Sequence, residues 1–185
     1  MHVSHLINHY LYWVDRFDHV LSIQECKDIA FLSFTDLGAR ESDEVLVREY
    51  RRVEDSLIGF VEAVVQHSDT TLHNSFVRYS WLSAGAETSL PLFGPAQLAI
   101  HQAIEKLDRG DELCLQLESK EQLRDFLQLG LRELLKVKLR IGVVYIETGF
   151  DLGLVVQNIR EDELLNLSSQ TGLHVLRKWE HAMWE

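Results

Sequence analysis

Two carboxylates in the C-terminal half are the simplest candidates for chemistry. Glu147 and Asp151 flank a turn between two runs rich in aliphatic residues. In a dry cleft, such a pair could act as general acid and general base or bind a cation. Aspartate is also a favoured turn residue, so a solvated turn without function would show the same pattern.

A serine and two histidines form a second candidate set. Ser83 in the segment WLSAG has the second half of a nucleophile elbow, but Trp81 stands where that strained turn needs a glycine. His73 and His101 lie near Ser83 in the sequence, which does not by itself make a catalytic triad. The phosphate-binding patterns GxxxxGKS/T and GxGxxG do not occur. An enzyme without a recognisable motif is therefore one hypothesis.

Histidines near the N-terminus suggest a metal site only weakly. His2, His5 and His9 would share about 60° of one helical face, and His5 and His9 have the i, i+4 spacing with which two imidazoles reach one ion. No carboxylate completes that turn, and the HExxH motif is absent. We predict that the chain has no metal site and no cofactor.

The composition indicates a folded, strongly acidic protein. The 185 residues are 46% hydrophobic and carry a formal net charge of −11, which opposes nucleic-acid phosphates and anionic membranes. Residues 1–70 hold 6 basic and 13 acidic side chains, against 12 and 16 in residues 71–185. The charge therefore favours a partner with a basic protein surface, and the acidic character belongs mainly to the N-terminal part.

The cytoplasm is the expected location. No apolar run reaches the roughly 18 to 20 residues of a membrane-spanning helix, and the segment MHVSHLINHYLYWVDRF lacks the pattern of a signal peptide. The two cysteines, Cys26 and Cys114, are far apart and lie within apolar patterns. This placement predicts two buried free thiols and no disulfide.

Residues 1–70 are predicted to form a mainly helical region. Ser22 and Glu25 fit a capping box at the start of a second helix, which Gly38 would end. Ser42 is expected to cap a third helix that runs to about Val64. The first helix is indicated by one amphipathic stripe: Leu6, Tyr10, Trp13, Phe17 and Val20. The solvent face of the third helix is expected to carry Arg48, Glu49, Arg51, Arg52, Glu54, Asp55 and Glu62.

Residues 71–185 are predicted to be an α+β region with a ferredoxin-like core at 111–185. A strand at FVRYSWL, a loop and a helix starting at Pro95 come first. The core then follows as strand, helix capped by Ser119, two strands, a helix at about 160–170 and a final strand. This βαββαβ order predicts an antiparallel sheet with helices on one face. Its buried strand residues would be Leu113, Leu115, Leu117, Val144, Ile146 and Val156.

Three function hypotheses follow from these patterns, since a ferredoxin-like fold alone chooses none of them. The first is an acidic interaction domain, such as an immunity protein, toxin inhibitor or adaptor. The second is a small-molecule-binding regulatory domain with a pocket near residues 83–95. The third is the enzyme described above. For the first, the partner-binding residues would be Glu41, Asp43, Glu44, Glu161, Asp162 and Glu163.

Overall fold

The computed structural model describes residues 10–38, 43–68, 72–81, 95–104, 111–149 and 151–180. Its strands are β1 (Tyr10–Asp15), β2 (Ser75–Trp81), β3 (Glu112–Gln116), β4 (Leu135–Ile141), β5 (Val144–Thr148), β6 (Leu154–Gln157) and β7 (His174–Glu180). Its α-helices are α1 (Ile23–Asp28), α2 (Phe34–Gly38), α3 (Glu44–His67), α4 (Pro95–Ile104), α5 (Lys120–Leu131) and α6 (Glu161–Gln170). A short 3-10 turn at Leu72–Asn74 leads into β2.

All seven strands belong to one sheet with the order β3-β2-β4-β5-β6-β1-β7, in which each strand is antiparallel to its neighbours. Strands β3 and β4 lie on either side of β2 and are connected through α5. Strands β6 and β7 lie in the same way on either side of β1 and are connected through α6. The sheet therefore contains two split βαβ units, and β5 joins them.

The predicted ferredoxin-like fold is wrong. Strands β3 and β7 lie at opposite edges of a seven-stranded sheet, and β1 and β2, from earlier in the chain, lie within it. The run LRIGVVYIET also forms two strands, β4 and β5, with a turn at Gly142 (φ 60°). Each crossover leaves a gap between parallel strands, and the sequence of residues 111–185 does not show which distant segment fills it.

The predicted N-terminal helix is also wrong, because Tyr10–Asp15 is strand β1. This strand lies between β6 and β7 and pairs with both. Its sequence YLYWVD is rich in aromatic and aliphatic residues that suit a strand, and Leu11, Tyr12 and Val14 are at most 4% exposed. A short apolar run of this kind fits a helical stripe and a buried strand equally well.

Helices α3, α5 and α6 form a layer on one face of the sheet. Helix α3 packs against both α5 and α6, and Leu57 and Phe60 on α3 are completely buried. The predicted third helix is confirmed, but Asp43 and not Ser42 caps it by accepting hydrogen bonds from the amides of Val45 and Leu46, both 3.2 Å long. The layer covers the face that carries the alternating apolar residues of the strands.

The caps predicted from the sequence are confirmed at α1 and α5. Ser22 and Glu25 form a reciprocal capping box at α1, although α1 ends at Asp28 and a separate helix α2 reaches Gly38. The Ser119 hydroxyl accepts a hydrogen bond of 3.1 Å from the amide of Gln122 at the start of α5. These local interactions fix where the helices begin.

Several burial predictions need correction. Leu115 is 41% exposed because β3 is an edge strand. Neither cysteine is buried, since Cys114 on the same strand is exposed and Cys26 is partly exposed. Glu54, which was placed on the solvent face of α3, is only 1% exposed. Edge position and tertiary contacts decide these cases, and residue type does not.

Candidate functional site

The acidic cluster predicted around the start of α3 has a structural task. Asp43 caps the helix through its side chain, and Glu44 is exposed in the first turn, where negative charge suits the helix dipole. Glu41 lies outside the described residues. Both side chains therefore contribute to the stability of α3.

The second acidic cluster, at the start of α6, is paired with basic side chains of the same chain. Glu161 forms an ion pair with Lys178. The carboxylate of Asp162 lies 3.7 Å from Nε of Arg160, and Glu163 accepts a 2.8 Å hydrogen bond from the same nitrogen. That hydrogen bond holds the pKa of Glu163 below its usual value. Much of the negative charge in this cluster is therefore balanced locally.

Of the candidate catalytic side chains, the structure describes those of Glu147 and Asp151. Glu147 lies on β5, where its carboxylate is 3.2 Å from Nζ of Lys136, and Asp151 is exposed in the following turn with φ 60°. His73 and His101 lie in the 3-10 turn and in α4, and the positions of their side chains are not described. Ser83 lies outside the described residues.

The histidine stripe, His2, His5 and His9, and the 83–95 loop also lie outside the described residues, apart from Pro95 at the start of α4. Among the residues that are described, no group of three histidine, cysteine, aspartate or glutamate side chains could hold a metal ion. The same residues include no helix that is both long and apolar enough to cross a bilayer.

A different surface stands out: the sheet face opposite the layer of α3, α5 and α6. Alternation along the four neighbouring strands β3, β2, β4 and β5 points one set of side chains away from the helices. We call this surface the open sheet face. Its residues are Phe76, Arg78, Ser80, Glu112, Cys114, Gln116, Lys136, Lys138, Arg140, Tyr145 and Glu147.

Two exposed aromatic rings lie in one row across the open sheet face. Phe76 is directly opposite Arg140 on β4, and Arg140 is directly opposite Tyr145 on β5. The exposed fractions of Phe76 and Tyr145 are 39% and 43%. The Arg140 guanidinium carbon lies 5.9 Å from the centre of the Tyr145 ring, and its Nε donates to the carbonyl of Gly142 at 3.2 Å. Aromatic and arginine side chains therefore share one continuous exposed row.

Positive charge predominates on the open sheet face. Two basic side chains share Glu112: the charged atoms are 3.9 Å apart for Arg78 and 3.6 Å apart for Lys138. Lys136 is paired with Glu147, as described above. With Arg140, four basic side chains face two carboxylates on this surface. The face has a surplus of two positive charges in a chain whose net charge is −11.

The sequence contains a signal for this surface. The segments FVRYSW and LKVKLRI both alternate apolar residues with polar or basic ones, which indicates strands with one solvated face. What the alternation could not show is that β2 and β4 are neighbours. Only this pairing collects Arg78, Lys136, Lys138 and Arg140 into one patch.

At the other end of the same sheet face, the side chain of Trp13 on β1 packs against two glycines. The six-membered ring of Trp13 lies against Gly149 and Gly153, so closely that a Cβ at Gly153 would be 2.3 Å from Cζ2 of the indole. The indole Nε1 donates a 2.9 Å hydrogen bond to Asp15, which is 6% exposed. Burial raises the pKa of Asp15, although this hydrogen bond and those from backbone amides oppose the effect. The arrangement is a packed structural corner.

The fold and its surface define a two-layer α+β protein with a covered and an open sheet face. No family model, curated protein or solved structure gives a significant match to the chain. Any function therefore has to be inferred from the geometry described above.

Proposed function

We propose that the chain is a protein-interaction domain whose docking surface is the open sheet face, and that the partner segment carries acidic and apolar side chains. The observation behind this proposal is the row of Phe76, Arg140 and Tyr145 within a patch of surplus positive charge. Adaptors and inhibitors are interaction domains of this class.

The residue types on the open sheet face support docking of a protein. Aromatic and arginine side chains contribute most often to binding energy at protein interfaces. Phe76 and Tyr145 would bury apolar area, while the surplus of basic groups would attract carboxylates and select the partner. Nucleic acid also binds basic, aromatic sheet faces, but the net charge of −11 opposes a phosphate backbone.

A basic partner bound to the acidic clusters is the second version of this proposal. It is supported by the net charge and by Asp162, whose side chain is 75% exposed. Against it stand the ion pairs of Glu161 and Glu163 with Lys178 and Arg160, which a basic partner would have to replace. For this reason the open sheet face is the preferred surface.

Cys114 provides a direct test, because its thiol is exposed on the open sheet face. In a Cys26→Ser background, a photocrosslinker on Cys114 would be activated in extract of the source cells, and the crosslinked segment would be sequenced. We expect an acidic segment with apolar residues. Capture should be lost in the double variant Phe76→Ser, Tyr145→Ser and in the triple variant Lys136→Glu, Lys138→Glu, Arg140→Glu.

Matched controls use exposed apolar residues elsewhere. Val45→Ser and Leu165→Ser remove side chains that are 71% and 49% exposed on the helix layer, so they should leave capture unchanged. Crosslinking to nucleic acid, to a basic segment, or equally in all variants would contradict docking at the open sheet face. Loss of capture after reversing Glu161, Asp162 and Glu163 to lysine, with the sheet-face variants unaffected, would favour the second version.

A further inference from the structure

A cavity of about 390 Å³ lies where the end of β1, residues 29–31, the middle of α3 and the turn between α6 and β7 meet. This volume is within the range of small-molecule sites in proteins, about 300 to 1,000 Å³. Its apolar walls include Phe17, Phe31, Val53 and Leu173. The cavity borders the helix layer and shares no lining residue with the open sheet face.

Arg16 lines the cavity and has unused hydrogen-bonding capacity. Its guanidinium carbon lies 4.5 Å from the ring centre of Phe17 and 4.3 Å from that of Phe31, and one terminal nitrogen donates to the carbonyl oxygen of Phe31. Its Nε is buried and has no hydrogen-bond partner among the described residues. The neighbouring carboxylate of Asp15 instead accepts from the Trp13 indole and from backbone amides. Arg16 therefore places a cationic group between two aromatic rings at the cavity wall.

A second guanidinium lines the same cavity. Arg52, on α3, has no ion pair with any side chain in the described part of the chain. Glu49, one turn before it, is the single carboxylate among the lining residues. Among the lining residues, two arginines and one glutamate leave a surplus of one positive charge.

We infer that this cavity binds a small organic monoanion, a carboxylate with an apolar body. Arg16 and Arg52 supply the charged donors that carboxylates prefer, and Phe17, Phe31 and Leu173 supply apolar walls. Glu49 disfavours a second negative charge on the ligand. No residue of the predicted 83–95 pocket is required for this site.

Benzoate is a suitable probe, with benzamide as its neutral counterpart and inorganic phosphate as an anion without an apolar body. Binding would be measured on the full chain by titration, following the backbone amide NMR signals of Gly172 and Leu173, which line the cavity. We expect saturable shifts with benzoate below about 20 mM, and binding of benzamide or phosphate at least about tenfold weaker.

Variants of α3 connect the binding to its proposed donor. Arg52→Met should weaken benzoate binding about tenfold or more, because it removes a charge-assisted contact. Arg51→Met is the matched control, since Arg51 lies on the same helix and lines a neighbouring groove but not the cavity. Equal urea midpoints for both variants would exclude a folding effect. Absence of benzoate shifts, equal affinity for benzamide, or unchanged binding in Arg52→Met would overturn the inference.

Discussion

At the scale of single residues, the core contains a buried ion pair between α3 and the end of α5. Arg132 donates to both carboxylate oxygens of Glu54, at 2.7 and 2.8 Å, and the two side chains are 5% and 2% exposed. Gln128 adds a hydrogen bond of 3.4 Å to the same carboxylate. Glu54 lies four residues from both Tyr50 and Ile58, which are buried on α3, and the packing of α3 against α5 buries it with them.

Removing one partner of this pair should be costly. We expect Glu54→Ala to lower the free energy of unfolding by about 3 to 5 kcal/mol, because the Arg132 charge would lose its buried counter-ion. Glu62→Ala on the same helix is the control, since its ion pair of 3.5 Å with Arg124 is partly exposed and is worth at most about 1 kcal/mol. Urea unfolding of both variants measures the difference. Equal losses would contradict a buried pair.

A second prediction at the scale of single residues concerns Gly153. A methyl group at Gly153 would lie 2.3 Å from Trp13, so Gly153→Ala should destabilise the protein by about 1 to 3 kcal/mol. Gly59→Ala, in the middle of α3 with nothing near its added Cβ, should instead stabilise by up to about 1 kcal/mol. Thermal unfolding tests both signs. Destabilisation by Gly153→Ala should also be smaller in a Trp13→Leu background, and an undiminished loss would refute the contact.

At the scale of secondary-structure elements, the edge position of β3 changes what a substitution should do. Leu115 and Leu139 belong to the same row, Leu115 opposite Val77 and Val77 opposite Leu139. Leu115 is 41% exposed and Leu139 is 1% exposed. We therefore expect Leu115→Asp to remain folded with a small loss of stability.

Leu139→Asp should unfold the protein, because an unpaired buried charge costs several kcal/mol against a total stability of about 5 to 15. Circular dichroism melting curves of the two variants distinguish them. If Leu115→Asp unfolded as completely as Leu139→Asp, the placement of β3 at the sheet edge would be wrong.

Helix α1 should respond to acid through its capping box. Hydrogen bonds from Ser22, followed by the contact with His19, lower the pKa of Glu25 from 4.5 to about 2. Since the folded-state pKa is below the unfolded value, this contribution to stability is complete above about pH 4.5 and disappears as the pH falls towards 2. NMR titration of the Glu25 carboxyl carbon measures the shift, and Ser22→Ala should move it back towards 4.5. An unshifted pKa of Glu25 in the wild type would contradict the capping box.

At the scale of the whole molecule, β1 makes the C-terminal sheet depend on the N-terminal residues. Tyr12 is completely buried and pairs with Val156 on β6 and Lys178 on β7. We expect Tyr12→Asp to abolish hydrogen-exchange protection of β6 and β7 amides, whereas Val20→Asp, at a position 47% exposed, should preserve it. Persistent protection in Tyr12→Asp would show that residues 111–185 fold without β1.

Charge is also distributed at this scale in a way that composition cannot show. The chain is acidic as a whole, yet the alternating positions of β2 and β4 concentrate four basic groups on the open sheet face. Association of an acidic partner with this face should slow as salt rises from about 0.05 to 0.5 M, because screening weakens the attraction. Stopped-flow association rates of a partner identified by crosslinking at Cys114 would test this. An association rate that does not depend on salt would contradict charge complementarity between the partner and the open sheet face.

Local interactions allowed the sequence by itself to determine many of the elements. The caps at Ser22 and Ser119, the long apolar stripe of α3, the start of α4 at Pro95 and the helix and strand after Arg160 were all predictable, and the structure confirms them. Each depends on residues within a few positions of one another. The net charge was likewise known from composition alone.

The tertiary structure alone decided the order of the strands, the strand conformation of Tyr10–Asp15, the exposure of Leu115 and the burial of Glu54. Each of these depends on contacts between segments that are far apart in the chain. A short apolar run is compatible with either a helix or a strand. Pairing with both β6 and β7 makes Tyr10–Asp15 a strand. In the same way, basic residues alternate along two separate strands and become a surface only where those strands pair.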